Sequence, residues 1–134
     1  VKFNLAVSLH SALDNVRTEI MPFNEQMPLA DLKEALIYWY EKTGKRITYE
    51  YVVWDGINDR HIDIMALLDF CKAVPSKVNI IEYNPIDDGQ FQQANPEAID
   101  RYVSVLEANG VTVTVRRSRG KDIDAACGQL ANKQ

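Results

Sequence analysis

Cys127 sits among small residues in the stretch Gly120–Leu130, GKDIDAACGQL, and four cations, Arg116, Arg117, Arg119 and Lys121, come shortly before it. A cysteine attacks carbon only as its thiolate, which neighbouring cations favour and anions disfavour. Asp122 and Asp124 lie between the cations and the thiol, so residue types alone leave open both a nucleophile and an inert side chain packed among alanines. The basic run suits contact with RNA phosphates, and equally a solvated charge cluster paired with those two aspartates.

A second set of polar residues gathers where apolar runs end. Ser8, Leu9 and His10 close one run, Asn84 and Pro85 follow another, and Asp55, Gly56, Asn58 and Asp59 follow a third. A hydroxyl and an amide at a strand end can hydrogen-bond the ribose or amino-acid groups of a ligand. The same residues can do no more than shape turns, Ser8 and His10 as caps and Asn84 as the start of an Asn-Pro turn. Asp55, Asp59 and Asp63 lack the glycine and glutamate positions of an EF-hand, so DGIND reads as a βα turn with Asp59 capping the next helix. Cys71 shares an apolar stripe with Leu67, Leu68 and Val74 and reads as a core thiol. His61 falls in the first turn of that helix without a second histidine at ligand spacing, and Trp39 and Trp54 read as core or sheet edge.

The elements that must position these residues follow from periodicity. Strands are predicted over Phe3–Leu9, Ile47–Trp54, Val78–Tyr83 and Val111–Val115, each a short run rich in β-branched or aromatic residues. Helices are predicted over Leu29–Lys42, Asp59–Val74 and Pro96–Asn109, with a shorter helical turn over Leu13–Ile20. Gly44 and Gly110 supply stops, and Pro96 suits a first helical turn. Alternation at this spacing predicts an α/β fold whose parallel strands are joined by helical crossovers, with the polar residues converging at the strands' C-terminal ends. Four strands do not close a barrel, so the sheet's edges are expected to seek partners, and the chain alone is expected to self-associate through them.

Composition narrows the classes. The chain has 134 residues, 46% of them hydrophobic, enough for a single packed domain. A formal net charge of −4 excludes a generally basic RNA coat and leaves room only for a local basic patch. Its two cysteines, in unrelated contexts, indicate neither a disulfide scaffold nor a zinc site, and the cytoplasm is the expected compartment. The opening residues VKFNLAVSLH are too short to span a membrane and read as a strand entered in mid-domain.

Taken in order, LAVSLH, EYVVWDGIND, NIIEYNP and RRSRGKDIDAACGQL resemble corresponding segments of the radical S-adenosylmethionine (SAM) enzymes that methylate C2 of an adenine in 23S ribosomal RNA and transfer RNA. The resemblance covers essentially the whole chain. Its most specific part is DIDAACGQL, and the family's cluster-binding CxxxCxxC motif does not occur in these residues. The resemblance implies the C-terminal portion of a radical SAM catalytic domain: about half of a partial (β/α) barrel, with strand-helix repeats over 1–116 and a catalytic-cysteine segment over 117–134.

What the resemblance implies about chemistry is specific. Ser8, Leu9, His10 and Asn84 match positions that contact SAM. Cys127 matches the cysteine that accepts a methyl from one SAM and becomes S-methylcysteine; a radical made from a second SAM by a 4Fe-4S cluster then activates that methyl for attack on adenine C2. Arg116, Arg117, Arg119 and Lys121 are the expected RNA contacts, with 23S rRNA and tRNA as partners of the whole enzyme and no membrane. The cluster ligands are expected upstream, with none in this chain, so these residues alone are expected to be inactive. Two other readings stand beside this one: the related enzyme that methylates C8 of the same adenine, and a self-standing α/β nucleotide- or RNA-binding module without catalysis.

Overall fold

In a computed structural model, which describes residues 4–82 and 92–117, four parallel strands form one sheet in the order β1-β2-β3-β4. The strands are β1 (Ala6–Ser8), β2 (Ile47–Val53), β3 (Ser76–Glu82) and β4 (Thr112–Arg117). Helices α1 (Asp14–Ile20) and α2 (Leu29–Thr43) join β1 to β2, α3 (His61–Cys71) joins β2 to β3, and α4 (Pro96–Ala108) lies between β3 and β4.

The strand sequences dictate which face is covered. Side chains alternate across a strand, and in β2 Ile47, Tyr49, Tyr51 and Val53 are fully buried while Thr48 and Glu50 are only half-buried. Leu9, Val78 and Ile80 join them in one apolar cluster with Leu36 of α2, Ile64 and Leu67 of α3 and Ile99, Tyr102 and Leu106 of α4, and Val113 and Val115 of β4 pack against it. The helices therefore cover one face of the sheet. Sequential strand order with helices on a single face is the wall of a β/α barrel; a doubly wound sheet would have helices on both. The opposite face carries Ala6, Ser8, Thr48, Glu50, Lys77, Asn79, Thr112, Thr114 and Arg116, all exposed or half-buried.

The expected elements occur, with shifted ends. Helix α2 stops at Gly44, whose φ of 67° is a conformation glycine adopts without strain and whose N–H bonds the Tyr40 carbonyl. Helix α4 starts with Pro96 at its first position and Asn95 as cap, the Asn95 side chain accepting from the Glu97 N–H. Helix α3 departs from expectation by starting at His61. Asp59 does not cap it: its carboxylate accepts from the Gly56 N–H and closes the preceding turn. Asp63, buried in the first turn of α3, instead accepts from the backbone N–H and guanidinium of Arg60. A 3₁₀ turn over Pro22–Glu25 was not foreseen. Strand β3 begins two residues earlier than predicted and β4 extends to Arg117, because pairing with a neighbour, unlike propensity, carries polar residues into a ladder.

Candidate functional site at the end of the first strand

Backbone pairing of β1 with β2 ends with the Leu9 N–H, which donates to the Glu50 carbonyl at 2.9 Å. Leu9 then plunges into the core, and the next residue, His10, turns the chain with φ of 57°, the left-handed region that a non-glycine residue rarely occupies. Two things hold it there. The imidazole Nδ1 accepts the Val52 N–H at 3.0 Å, so a side chain continues the strand ladder by one rung, and the ring packs edge-on against Trp54 with centroids 5.5 Å apart. With Nδ1 as acceptor, the ring proton belongs on Nε2. Burial, and secondarily the nearby Arg17 charge, lowers the His10 pKa to about 4, so the ring is neutral at pH 7.

The carbonyls of this tripeptide are gripped from two sides. Buried Arg17 of α1 donates through Nε to the Leu9 carbonyl at 3.0 Å and through one terminal nitrogen to the Ser8 carbonyl at 3.2 Å. Its other terminal nitrogen meets Asn24 Oδ1 at 2.8 Å, and Asn24 in turn donates to the Asp14 carboxylate and the Thr18 hydroxyl, each at 3.0 Å. Burial depresses the Arg17 pKa, countered by Asp14, without threatening its charge.

From the other side, fully buried Asn58 donates to the His10 carbonyl and the Val52 carbonyl, both at 2.8 Å, while its Oδ1 accepts the Trp54 N–H at 2.7 Å. Its own carbonyl accepts the Tyr102 hydroxyl at 2.6 Å, which leaves Tyr51 as the donor in the 2.9 Å contact between the two tyrosine hydroxyls.

Ser8 stands in cross-strand register with Glu50, Asn79 and Thr114 along the face of the sheet that no described helix covers. Three of these form a chain of bonds: Thr114 Oγ1 donates to Asn79 Oδ1 at 3.0 Å and Asn79 Nδ2 donates to Glu50 Oε2 at 2.9 Å. Arg116, exposed, is in register with Ile81 on the same face, two residues nearer the C-terminal ends of the strands than Thr114. Ser8 and Arg116 thus share one face, Ser8 on β1 and Arg116 on β4 at opposite sides of the described sheet, with His10 two residues beyond Ser8. Arg117 continues β4 in register with Glu82. Asn84, Arg119, Lys121 and Cys127 lie outside the described residues.

Neither Ser8 nor His10 caps the following turn. Ser11 does, its buried hydroxyl accepting the Leu13 N–H at 3.1 Å and bonding the Leu13 carbonyl. Arg17, Asn24 and Tyr102 are the residues that sequence reasoning missed, and Asn58, singled out as a strand-end polar residue, was not read as a clamp on the first strand's turn. Arg17 carried a signal: it shares the apolar face of its short helix with Leu13, Val16 and Ile20 at helical spacing, where a charge is out of place unless bonded. Cys71 is buried, and burial pushes its thiol up to about 11, so it is not a nucleophile at neutral pH. Among the described residues no three His, Cys, Asp or Glu side chains could hold a metal ion, so they do not fit an iron-sulfur cluster. Also among the described residues, no helix is long and apolar enough to cross a membrane.

A neutral, backbone-fixed turn bearing a serine hydroxyl and an imidazole N–H is suited to binding. Acid-base work at pH 7 is outside its range. No family model matches the chain. The chain is 66% identical, over its full length, to a probable dual-specificity RNA methyltransferase RlmN of Flavobacterium psychrophilum, and 71% identical over 132 residues, 98% of the chain, to the protein of the same description from Christiangramia forsetii. It spans 39% and 38% of those relatives' lengths. A solved radical SAM methyltransferase from Sphaerobacter thermophilus superposes with a TM-score of 0.86 at 39% identity over 96% of the chain and 38% of that structure. A domain of the pyruvate-formate lyase-activating enzyme from Bacteroides vulgatus shares the fold, with a TM-score of 0.65 at 15% identity over 84% of the chain and 66% of that domain.

The one-sided, sequentially ordered parallel sheet and these likenesses define a part of a radical SAM partial barrel. Within that class the chain is similar to a part of the RlmN proteins and of the solved radical SAM methyltransferase.

Proposed function

We propose that the chain works within a longer enzyme, of its relatives' length, that methylates C2 of an adenine in 23S rRNA and tRNA in the cytoplasm. The observation that carries this reading is 66–71% identity, across nearly all of the chain, to proteins described as dual-specificity RNA methyltransferases. The Ser8–His10 turn supports it, since it offers an uncharged hydroxyl and ring N–H at the C-terminal ends of parallel strands, where β/α folds take their ligands.

In this proposal Ser8, His10 and Asn84 contact SAM and Cys127 carries the methyl group; Leu9, expected among the contacts, is fully buried with its N–H and carbonyl both bonded, and backs the turn from the core instead. The Cys127 thiolate forms a new carbon–sulfur bond as the bond between SAM's sulfonium and its methyl breaks, and S-adenosylhomocysteine leaves. A methyl held on sulfur suits an adenine C2 that is too electron-poor to attack SAM directly, and tethering fixes the geometry of approach. Activation of that methyl is the chemistry a 4Fe-4S cluster would supply, with ligands from outside this chain. Arg116, Arg117, Arg119 and Lys121 contribute charge towards RNA phosphates.

Peptide mass spectrometry of Cys127 in the active longer protein tests the reading. A methyl increment on the Cys127 peptide, lost together with activity in Cys127→Ala, is expected. An unmodified Cys127 in active protein would reduce it to a structural thiol.

A further inference from the structure

The backbone of the Ser8–His10 turn is held by side chains. All three of its carbonyls accept from side-chain donors: Ser8 and Leu9 from Arg17, and His10 from Asn58. Both donor residues are buried, at 5% and 0% exposure, where an arginine is rarely found unless its bonds are made. Each is anchored in turn by a second element. Asn24 of the 3₁₀ turn seats the Arg17 guanidinium, and the Tyr51–Tyr102 hydroxyl pair seats the Asn58 backbone from β2 and α4.

We infer that Arg17 and Asn58 are positioning residues for SAM: by holding the three carbonyls of the Ser8–His10 turn they set the Ser8 hydroxyl and the His10 ring in the places where the ligand meets them. The inference rests on the proposed SAM contact of that turn. The physical reason is that His10 occupies a left-handed conformation that its own side chain disfavours, so the turn keeps its shape only while its surroundings over-determine it. A guanidinium reaches two successive carbonyls and the Asn24 amide at once through its rigid fork, which an ammonium cannot reproduce. Asn58 ties the turn to the β2 end by donating to the carbonyls of both His10 and Val52, while the His10 ring accepts the Val52 N–H. Lengthening either set of bonds by a fraction of an ångström displaces the ligand contacts without touching any group that performs chemistry.

The test uses the longer protein, loaded with its cluster, and measures the SAM dissociation constant by calorimetry, RNA affinity by filter binding, and KM and kcat for SAM. Arg17→Lys and Asn58→Asp are each expected to weaken SAM binding about tenfold, the effect of losing one or two well-formed hydrogen bonds. RNA affinity should stay within about twofold, and the loss should appear in KM for SAM more than in kcat. If Arg17→Lys does not fold, Asn24→Ala keeps the arginine and its bonds to the turn while removing its outer anchor, along with the Asn24 bonds to Asp14 and Thr18, and a rise of about threefold is expected. Ser8→Ala and His10→Ala are the comparators. If they weaken SAM binding while folded Arg17→Lys, Asn24→Ala and Asn58→Asp bind SAM normally, the positioning inference is wrong and the SAM reading stands. If Ser8→Ala and His10→Ala leave SAM binding unchanged, the contact itself is wrong and the inference falls with it.

Discussion

His10 shows how a histidine at a turn proposed to bind a ligand can be removed from proton chemistry by its own structural task. Its Nδ1 accepts a strand N–H, and protonating that nitrogen would break the bond and bring a second positive charge near Arg17. The folded pKa lies near 4 against an ordinary 6.5, so below pH 6.5 the unfolded chain takes up a proton that the folded chain refuses. Stability is therefore fully present above pH 6.5 and falls as the pH drops from there towards 4. Between pH 7 and pH 5 His10 should account for a loss of about 2 kcal/mol. Urea unfolding of the protein and of His10→Gln at the two pH values checks this: the variant, less stable at pH 7, should lose distinctly less on acidification. Equal losses in both proteins would place the pH sensitivity elsewhere.

At the scale of elements, the fold was legible because each helix and strand obeyed its own period, and the site was legible only in part. Ile47, Tyr49, Tyr51 and Val53 announce a strand with one buried face, and Gly44 marks the end of α2. The clamp around Ser8–His10 was hidden because its members are 7 to 48 residues apart and act through backbone carbonyls, which carry no side-chain signature. Asn58 looked like an ordinary turn residue, and its partnership with Tyr102 of α4 spans 44 residues. Asp59 misled for a related reason, since an aspartate before a helical pattern can serve the turn behind it as easily as the helix ahead.

Tyr102→Phe isolates that long-range tie. It removes the donor to the Asn58 carbonyl and the acceptor for Tyr51 in a fully buried place, at a cost of about 1–3 kcal/mol. The thermal midpoint should fall accordingly. Gly44→Ala is the purely local contrast: open space surrounds a Cβ there, so only the left-handed backbone is strained, by about 1–2 kcal/mol. Double substitution should add the two losses, because the sites share no partner.

For the molecule as a whole, the described sheet has two edges. β1 pairs only with β2 and β4 only with β3 among the described residues, and no described helix covers the face that bears Ser8, Glu50, Asn79 and Thr114. The relatives and the solved methyltransferase are more than twice as long as the span they share with this chain, so in them further polypeptide is available to continue such a sheet. We expect the chain by itself to satisfy its edges with another copy, since a strand edge with free N–H and C=O groups is a template for pairing. Light scattering over a rising concentration series should then show mass growing beyond the monomer. Adding the rest of the longer enzyme as a separate polypeptide should suppress that growth. A monodisperse monomer at every concentration would overturn the expectation of self-association through the sheet edges.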